Sequence, residues 1–153
     1  MDTGLKIFTD GGCSGNPGPG GWAYVMVLET FQGSKIIAQK KGVERDTTNN
    51  RMELSAVINA LRALKTMDDV PRQTALYTDS QYVQKGITEW IHIWKRNSWK
   101  TSDKSPVKNQ DLWKELDLLA GEFTIKWEWV RGHAGHEFNE RCDRMTQEAI
   151  ASL

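Results

Sequence analysis

Apolar residues recur along this chain first with a period of two and then, beyond residue 47, with a period of three to four. The first period belongs to strands, whose side chains alternate between faces, and the second to helices. Residues 5–9 read as a strand that stops on Asp10, the stretch CSGNPGPGG as a wide turn, and residues 22–28 as an apolar second strand. A turn at Gln32-Gly33-Ser34 leads into a third strand over residues 35–42, paired with the second as a hairpin. Thr47-Thr48-Asn49-Asn50 then offers N-cap candidates for a helix carrying Leu54, Val57, Ile58, Leu61 and Leu64 at helical spacing. Beyond Pro71 come a short strand over residues 74–78 and a helix capped by Asp79-Ser80 that runs toward Ile87. Residues 90–100 read as an amphipathic helix, 98–105 as a polar loop, 106–119 as a helix and 123–130 as a last strand. A loop over residues 131–136 precedes a final helix.

This order predicts an α/β fold with one five-stranded mixed sheet flanked by helices on both faces. No linker or repeat interrupts residues 1–153, so a single domain is expected. An apolar fraction of 39% and a charged fraction of 26% exclude the disordered and fibrous classes. The N-terminal residues carry no secretory pattern and the longest apolar run, residues 22–28, is too short to span a bilayer. A cytoplasmic location with no membrane partner follows as the expectation, with Cys13 and Cys142 both reduced. The net charge is zero, but it is unevenly placed: residues 81–108 hold six basic and two acidic side chains. Tyr82, Trp90, Trp94 and Trp99 lie in the same stretch.

Four acids stand out. Ile7-Phe8-Thr9-Asp10 and Leu76-Tyr77-Thr78-Asp79 are matching apolar strands ending aromatic-Thr-Asp. Joined in parallel by a right-handed crossover, they would set both aspartates at one edge of the sheet, where open α/β sheets bind their ligands. Taken singly, each aspartate reads as a strand end or a helix cap. Glu53 weakens that plain reading, because it lies only about 60° from the centre of its helix's apolar stripe. Asp143 sits beside the stripe of the last helix, Phe138, Cys142, Met145 and Ala149, one turn after Asn139. Clustered carboxylates repel one another unless a cation lies among them, and an all-oxygen donor set suits Mg²⁺ or Mn²⁺ and not zinc.

In order and spacing, Asp10 in TDGGCSGNPGPGG, Glu53 in TTNNRMEL, Asp79 in TDSQYV and Asp143 in GHAGHEFNERCD resemble the four-acid signature of type 1 ribonuclease H, bacterial branch. The resemblance spans residues 5–149 and implies a ribonuclease H-like fold and an endoribonuclease. Members of that family hydrolyse the RNA strand of RNA/DNA hybrids, leaving a 5′-phosphate and a 3′-hydroxyl. It implies two Mg²⁺ ions, with Mn²⁺ an alternative: Asp10 bridging both, Glu53 and Asp79 completing one site each, and Asp143 holding the ion that orders the attacking water. His133 takes the place of the family's mobile histidine, which carries a proton or assists product release. His92 and His136 receive no role.

Cys13, Asn16, Asn50 and Gln81 match positions that contact the hybrid's minor groove, where the 2′-hydroxyl distinguishes RNA from DNA. Thr48 matches a phosphate-pocket position on the DNA strand, and Asn139 completes the candidate substrate set. The stretch from about residue 85 to 108 matches the family's basic handle, with Trp90, Trp94, Lys95, Arg96, Trp99 and Lys100 as candidate contacts. Trp90 and Trp94 also fit a packed helix core. Ile93 stands where bacterial members often have asparagine, and Asn97-Ser98 replaces a more basic pair, so the grip on the DNA strand is open. Family members are usually monomers. The competing readings are a related nuclease with another nucleic-acid substrate and a module that binds hybrids without cutting them.

Overall fold

Alternation along the first strand sets the layout: Leu5 and Ile7 face one side of the sheet and Phe8 the other. The computed structural model describes residues 2–71, 73–131 and 136–153. Among them, β1 (Asp2–Cys13), β2 (Gly18–Thr30), β3 (Gly33–Thr47), β4 (Gln73–Thr78) and β5 (Thr124–Trp129) form one sheet in the spatial order β3-β2-β1-β4-β5. β1, β2 and β3 are antiparallel neighbours, whereas β4 runs parallel to β1 and β5 parallel to β4. The helices are α1 (Asn49–Lys65), α2 (Gln81–Lys85), α3 (Ile91–Arg96), α4 (Gln110–Ala120) and α5 (Glu137–Ala151). A wider π turn, Gly86–Trp90, joins α2 to α3. The expected α/β class, five mixed strands and helices on both faces are all present.

Each face has its own core. On one, Ile7, Tyr24, Met26 and Leu76 pack beneath Leu54, Val57, Ile58 and Leu61 of α1 and Trp113 and Leu116 of α4. On the other, Phe8, Val25 and Val27 meet Cys142 of α5, with Phe138 and Met145 beside them. The predicted caps are in place: the Thr48 hydroxyl accepts from the Arg51 N–H at 3.2 Å, and the Ser80 hydroxyl from the Val83 N–H at 3.1 Å. Cys13 and Cys142 are free thiols, as expected, and no helix among the described residues is long and apolar enough to cross a membrane.

Three expected boundaries are corrected. The Gly/Pro-rich stretch is mostly strand: Gly11, Gly12 and Cys13 pair with Trp22, Gly21 and Gly20, leaving a short turn over residues 14–17. Glycine here serves close packing, since a side-chain carbon on Gly21 would crowd Ala149 and Ile150 of α5. The helix expected over residues 90–100 stops at Arg96, because Ser98 and Trp99 adopt left-handed backbone angles, φ 54° and 60°. That reversal brings the Trp99 N–H to the Trp94 carbonyl at 2.7 Å. The helix expected from residue 106 begins at Gln110, since Pro106 bridges to Lys100 and the Val107 N–H bonds the Trp99 carbonyl at 3.1 Å.

The π turn carries one tight contact. A β-carbon on Gly86 would overlap the ring of Trp113, which is fully buried. Gly86→Ala is therefore expected to lower stability by about 1–3 kcal/mol, the usual cost of overpacking a core, measured by urea denaturation.

Candidate active site

The β1–β4 register brings the two matching strands together. Phe8 pairs with Tyr77, and the Thr9 hydroxyl bonds the Tyr77 carbonyl at 3.2 Å, so Asp10, still paired within β1, and Asp79, just past the end of β4, come side by side. Helix α1 supplies the third acid. A β-carbon on Gly11 would overlap backbone atoms of Met52 and Glu53, so only glycine lets α1 approach this closely. The approach is used at once, as the Gly11 N–H donates to Glu53 Oε1 at 3.2 Å. One carboxylate oxygen each from Asp10, Glu53 and Asp79 lies within 4.8 Å of the others. Asp143 of α5 lines a small cavity with Thr9, Asp10, Asp79, Val130 and Asn139, and its charge reaches Asp10 from there.

The electrostatics follow from burial. Asp10 is 8% exposed. Its carboxyl is pushed up from an ordinary 3.8 to about 7, first by burial and then by the negative charge of Asp79, with Asp143 adding to both. The Thr146 side chain and the Gly11 N–H, which bond it, offset part of that rise. Glu53 is raised well above its usual range by burial, then by Asp10 and Asp79, and the Gly11 N–H again opposes. Its Oε2 is buried without a hydrogen-bond partner among the described residues. Packed carboxylates with an orphaned oxygen fit a divalent cation, which neutralises the repulsion and takes the free lone pair. The Cys142 thiol beneath them is also raised by burial and donates to the Phe8 carbonyl at 3.2 Å.

The candidate substrate residues lie at the end of β1, in the turn after it, and in the first turns of α1, α2 and α5. Cys13 ends β1, its thiol donating to the Gly18 and Thr47 carbonyls at 3.2 and 3.3 Å. Asn16 is exposed and its Oδ1 accepts from the Asn49 N–H at 3.2 Å. Thr48 caps α1, and Asn50 and Gln81 lie exposed in the first turns of α1 and α2. Asn139 points its Nδ2 into buried space beside the acids with no partner among the described residues.

In the basic stretch the rings pack on one another: Tyr82–Trp90 centroids are 5.8 Å apart, Trp90–Trp94 5.9 Å and Trp94–Trp113 5.4 Å. Trp94 and Trp99 rest against the main core. Lys95 pairs with Asp117 at 3.2 Å, while Arg96 and Lys100 are exposed. His133 lies outside the described residues. His136, exposed at the N-cap of α5, sets its ring tilted against Phe8 at 4.9 Å.

Several contributors escaped the sequence reading. Nothing in the sequence marks Gly11 as the seat of α1, and Thr146 and Asn109 carry no signal. Arg51 lies off the stripe and reaches Asp111 through two bonds, Nη1–Oδ1 at 3.1 Å and Nη2–Oδ2 at 2.8 Å.

Comparison with known proteins follows the same line. The sequence profile of the ribonuclease H family, RNase H, matches residues 2–151. A ribonuclease H of Treponema denticola is 51% identical over 159 residues, covering 97% of this chain and 98% of that one. The crystal structure of LC9-RNase H1, a type 1 RNase H with the type 2 active-site motif, superposes with a TM-score of 0.85 at 32% identity. It covers 97% of this chain and 72% of that one. LC11-RNase H1 in complex with an RNA/DNA hybrid shares the fold, with a TM-score of 0.69 at 23% identity over 97% of both chains. The chain belongs to the ribonuclease H family.

The raised Asp10 carboxyl has a consequence for stability. Between pH 4 and about 7 the folded state holds a proton that the unfolded chain, titrating near 3.8, has released. Folding therefore binds protons in that window, and this group's contribution falls as pH rises through it and stays low above. Asp10→Asn removes the repulsion, so in metal-free buffer its melting temperature is expected to exceed the wild type's increasingly from pH 5 to pH 8. The gain is about 2–4 °C per kcal/mol of repulsion removed. Saturating Mg²⁺ should raise the wild type and leave the variant nearly unchanged. Calorimetric melting checks both; a gap that shrinks with rising pH would contradict the account.

Proposed function

We propose that this chain hydrolyses the RNA strand of RNA/DNA hybrids, with residues 1–153 acting as one catalytic domain. The carrying observation is the convergence of Asp10, Glu53 and Asp79 from β1, α1 and the end of β4 onto one point. Membership of the ribonuclease H family and likeness in fold to an RNase H1 complexed with a hybrid support the substrate. The acids would hold two divalent ions, with Mg²⁺ as the natural choice and Mn²⁺ as the substitute: Asp10 shared between them, Glu53 and Asp79 on one each, and Asp143 on the side of the attacking water. When bound, the ions supply positive charge to the scissile phosphate and make a coordinated water acidic enough to act near neutral pH.

The chain's own groups do the rest. Gly11 fixes Glu53 through its N–H, and Thr146 offsets part of the rise at Asp10. Cys13, Asn16, Asn50 and Gln81 present polar groups to the minor groove, where the 2′-hydroxyl is exposed. The Asn139 amide, a buried donor with no partner among the described residues, fits a phosphate oxygen or the attacking water. Thr48 would take a DNA-strand phosphate. Arg96 and Lys100 would grip the duplex by charge, with Trp90, Trp94 and Trp99 as the rigid bed that carries them and Lys95 held by Asp117. His133 would move a proton or help the 5′-phosphate product leave. Cleavage leaves a 3′-hydroxyl on the other fragment. All three converging acids come from one chain, which favours a working monomer, and a bacterial cytoplasm is the proposed location.

The test is a comparison of labelled RNA/DNA hybrid, duplex DNA and single-stranded RNA, each with Mg²⁺ and with chelator. Cutting confined to the RNA of the hybrid and abolished by chelator is expected. Cutting of DNA alone, or of all three substrates equally, overturns the proposal, and tight hybrid binding without cutting favours a binding module. Asp10→Asn should cost several kcal/mol of transition-state stabilisation, a fall in kcat of about 10²–10³-fold.

A further inference from the structure

Helix α5 has two polar flanks. At ~100° per residue, Asn139, Asp143 and Thr146 fall within about 60° of one another on the side of the acids, where the Thr146 side chain bonds Asp10. The apolar stripe with Phe138 and Cys142 turns onto the sheet. Arg141, Arg144, Met145 and Glu148 take the remaining flank, centred about 180° from the acid side. That flank faces the edge strand β3 and has no part in the acid cluster.

Between this flank and β3 lies a groove of about 430 Å³. Val25 packs in the α5 core and pairs with Gln39, so Gln39 and Lys41, one alternation on, turn toward the helix. Two ties hold the walls together: Arg141 Nε donates to Gln39 Oε1 at 2.8 Å, and Lys41 Nζ pairs with Glu148 at 3.5 Å. Met145 lies between the ties along α5 and supplies the apolar part of the lining. Lys40, Lys41, Arg141 and Arg144 line the groove against one carboxylate, Glu148, in a chain whose net charge is zero. Arg144 is exposed and takes no ion pair or hydrogen bond among the described residues, and the Gln39 bond engages only Nε of Arg141. Cations gathered without matching acids attract anions, and guanidinium forks match the oxygens of phosphate.

The groove shares a row of the sheet with the reaction centre. Asp10 pairs with Ala23 and Ala23 with Lys41, so two strand spacings, about 10 Å, separate the backbone of Lys41 from that of Asp10. We infer that the groove binds the phosphodiester backbone of a single strand continuing from a hybrid held at the acids, through Lys41, Arg141 and Arg144. The inference rests on the reading of the acid cluster as the place where the hybrid is cut. Proximity selects the class of anion, since catalysis itself brings a phosphate chain to this row. The cross-tied walls suit one flexible backbone and not the breadth of a duplex. No aromatic ring lines the groove, so bases find nothing to stack on and the contact ignores sequence. A second attachment of this kind raises the local concentration of hybrid at the acids and leaves the chemical step alone.

The test neutralises the groove with Lys41→Gln/Arg144→Gln and, as a control, removes the same charge elsewhere with Lys35→Gln/Lys126→Gln. All four residues are exposed, so melting temperatures should match the wild type. Binding of a labelled single-stranded oligodeoxynucleotide is followed by anisotropy in chelator over a range of salt. In the groove variant the slope of log affinity against log salt should be shallower by about 1.4, at about 0.7 per lost phosphate contact, and affinity near 0.1 M salt should fall about 5- to 25-fold. Arg144→Gln alone, which breaks no bond of the folded chain, should show half the change in slope. Cleavage is then measured on one hybrid core, blunt or carrying a single-stranded extension at each strand end in turn. For at least one extended hybrid the wild type should show a lower KM than for the blunt one, and the groove variant should lose that advantage with kcat and the blunt KM unchanged.

An unchanged salt slope in the groove variant overturns the inference, as does a control variant that loses as much affinity. Equal KM shifts on blunt and extended hybrids overturn it too, because the groove would then act only through the general field. An oligoglutamate peptide of equal charge that binds the wild type as tightly as the oligonucleotide, and weakens equally in the groove variant, overturns the assignment to nucleic acid. If the wild-type chain cuts no hybrid, the reading of the acids has failed, and the anisotropy comparison, which needs no cleavage, still decides whether the groove holds a single strand.

Discussion

Like charges held close in a medium that cannot screen them are the constraint on which this molecule is built. Burial raises Asp10 and Glu53 together, and each raises the other, so the unliganded site keeps protons that exposed carboxylates would shed near pH 4. Such an arrangement costs folding energy, and it persists because rigid elements on every side leave the acids no room to part. The sheet fixes Asp10, the Gly11 contact fixes Glu53, and α5 closes the cavity with Asp143 and Asn139. Strain of this kind is stored where chemistry happens and is offset by packing elsewhere.

That packing is divided with some economy. The larger core binds α1 and α4 to one face of the sheet, while the smaller one holds α5 with a few large side chains around Phe8. Phe8 is only two residues from Asp10; Tyr77 stacks on it and the His136 ring lies tilted against it. The acid cluster therefore stands on an aromatic floor that admits no slack. The basic stretch is built differently: its charge is at the surface and its tryptophans face inward, so it is a stiff arm with a polar skin.

Much of this was legible in the residues. Short apolar segments bounded by turn residues marked β1, β2 and β4, and the repeated aromatic-Thr-Asp ending pointed to the edge where Asp10 and Asp79 meet. Glu53 betrayed itself by lying on the flank of an apolar stripe. The unread parts share one physical cause, long-range contact. Gly11 gives no warning of its role, because nothing in its neighbourhood in sequence says that α1 will press against it. Arg51 and Asp111 lie 60 residues apart, and a surface-exposed pair of that kind carries no periodic signal. The early stop of α3 at Arg96 and the late start of α4 at Gln110 were hidden for the same reason. Tertiary packing of Trp99 overrode local helical preference there.

The Gly11–Glu53 bond has an implication for how the enzyme comes into being. A main-chain group of the central strand and a side chain of the first long helix meet inside the reaction centre, so docking that helix and completing the centre are one event. A nascent or partly melted chain, with α1 not yet seated, owns the aspartates but not the third oxygen. Catalytic competence should thus appear all at once late in folding, and half-made molecules would pass among nucleic acids without cutting them.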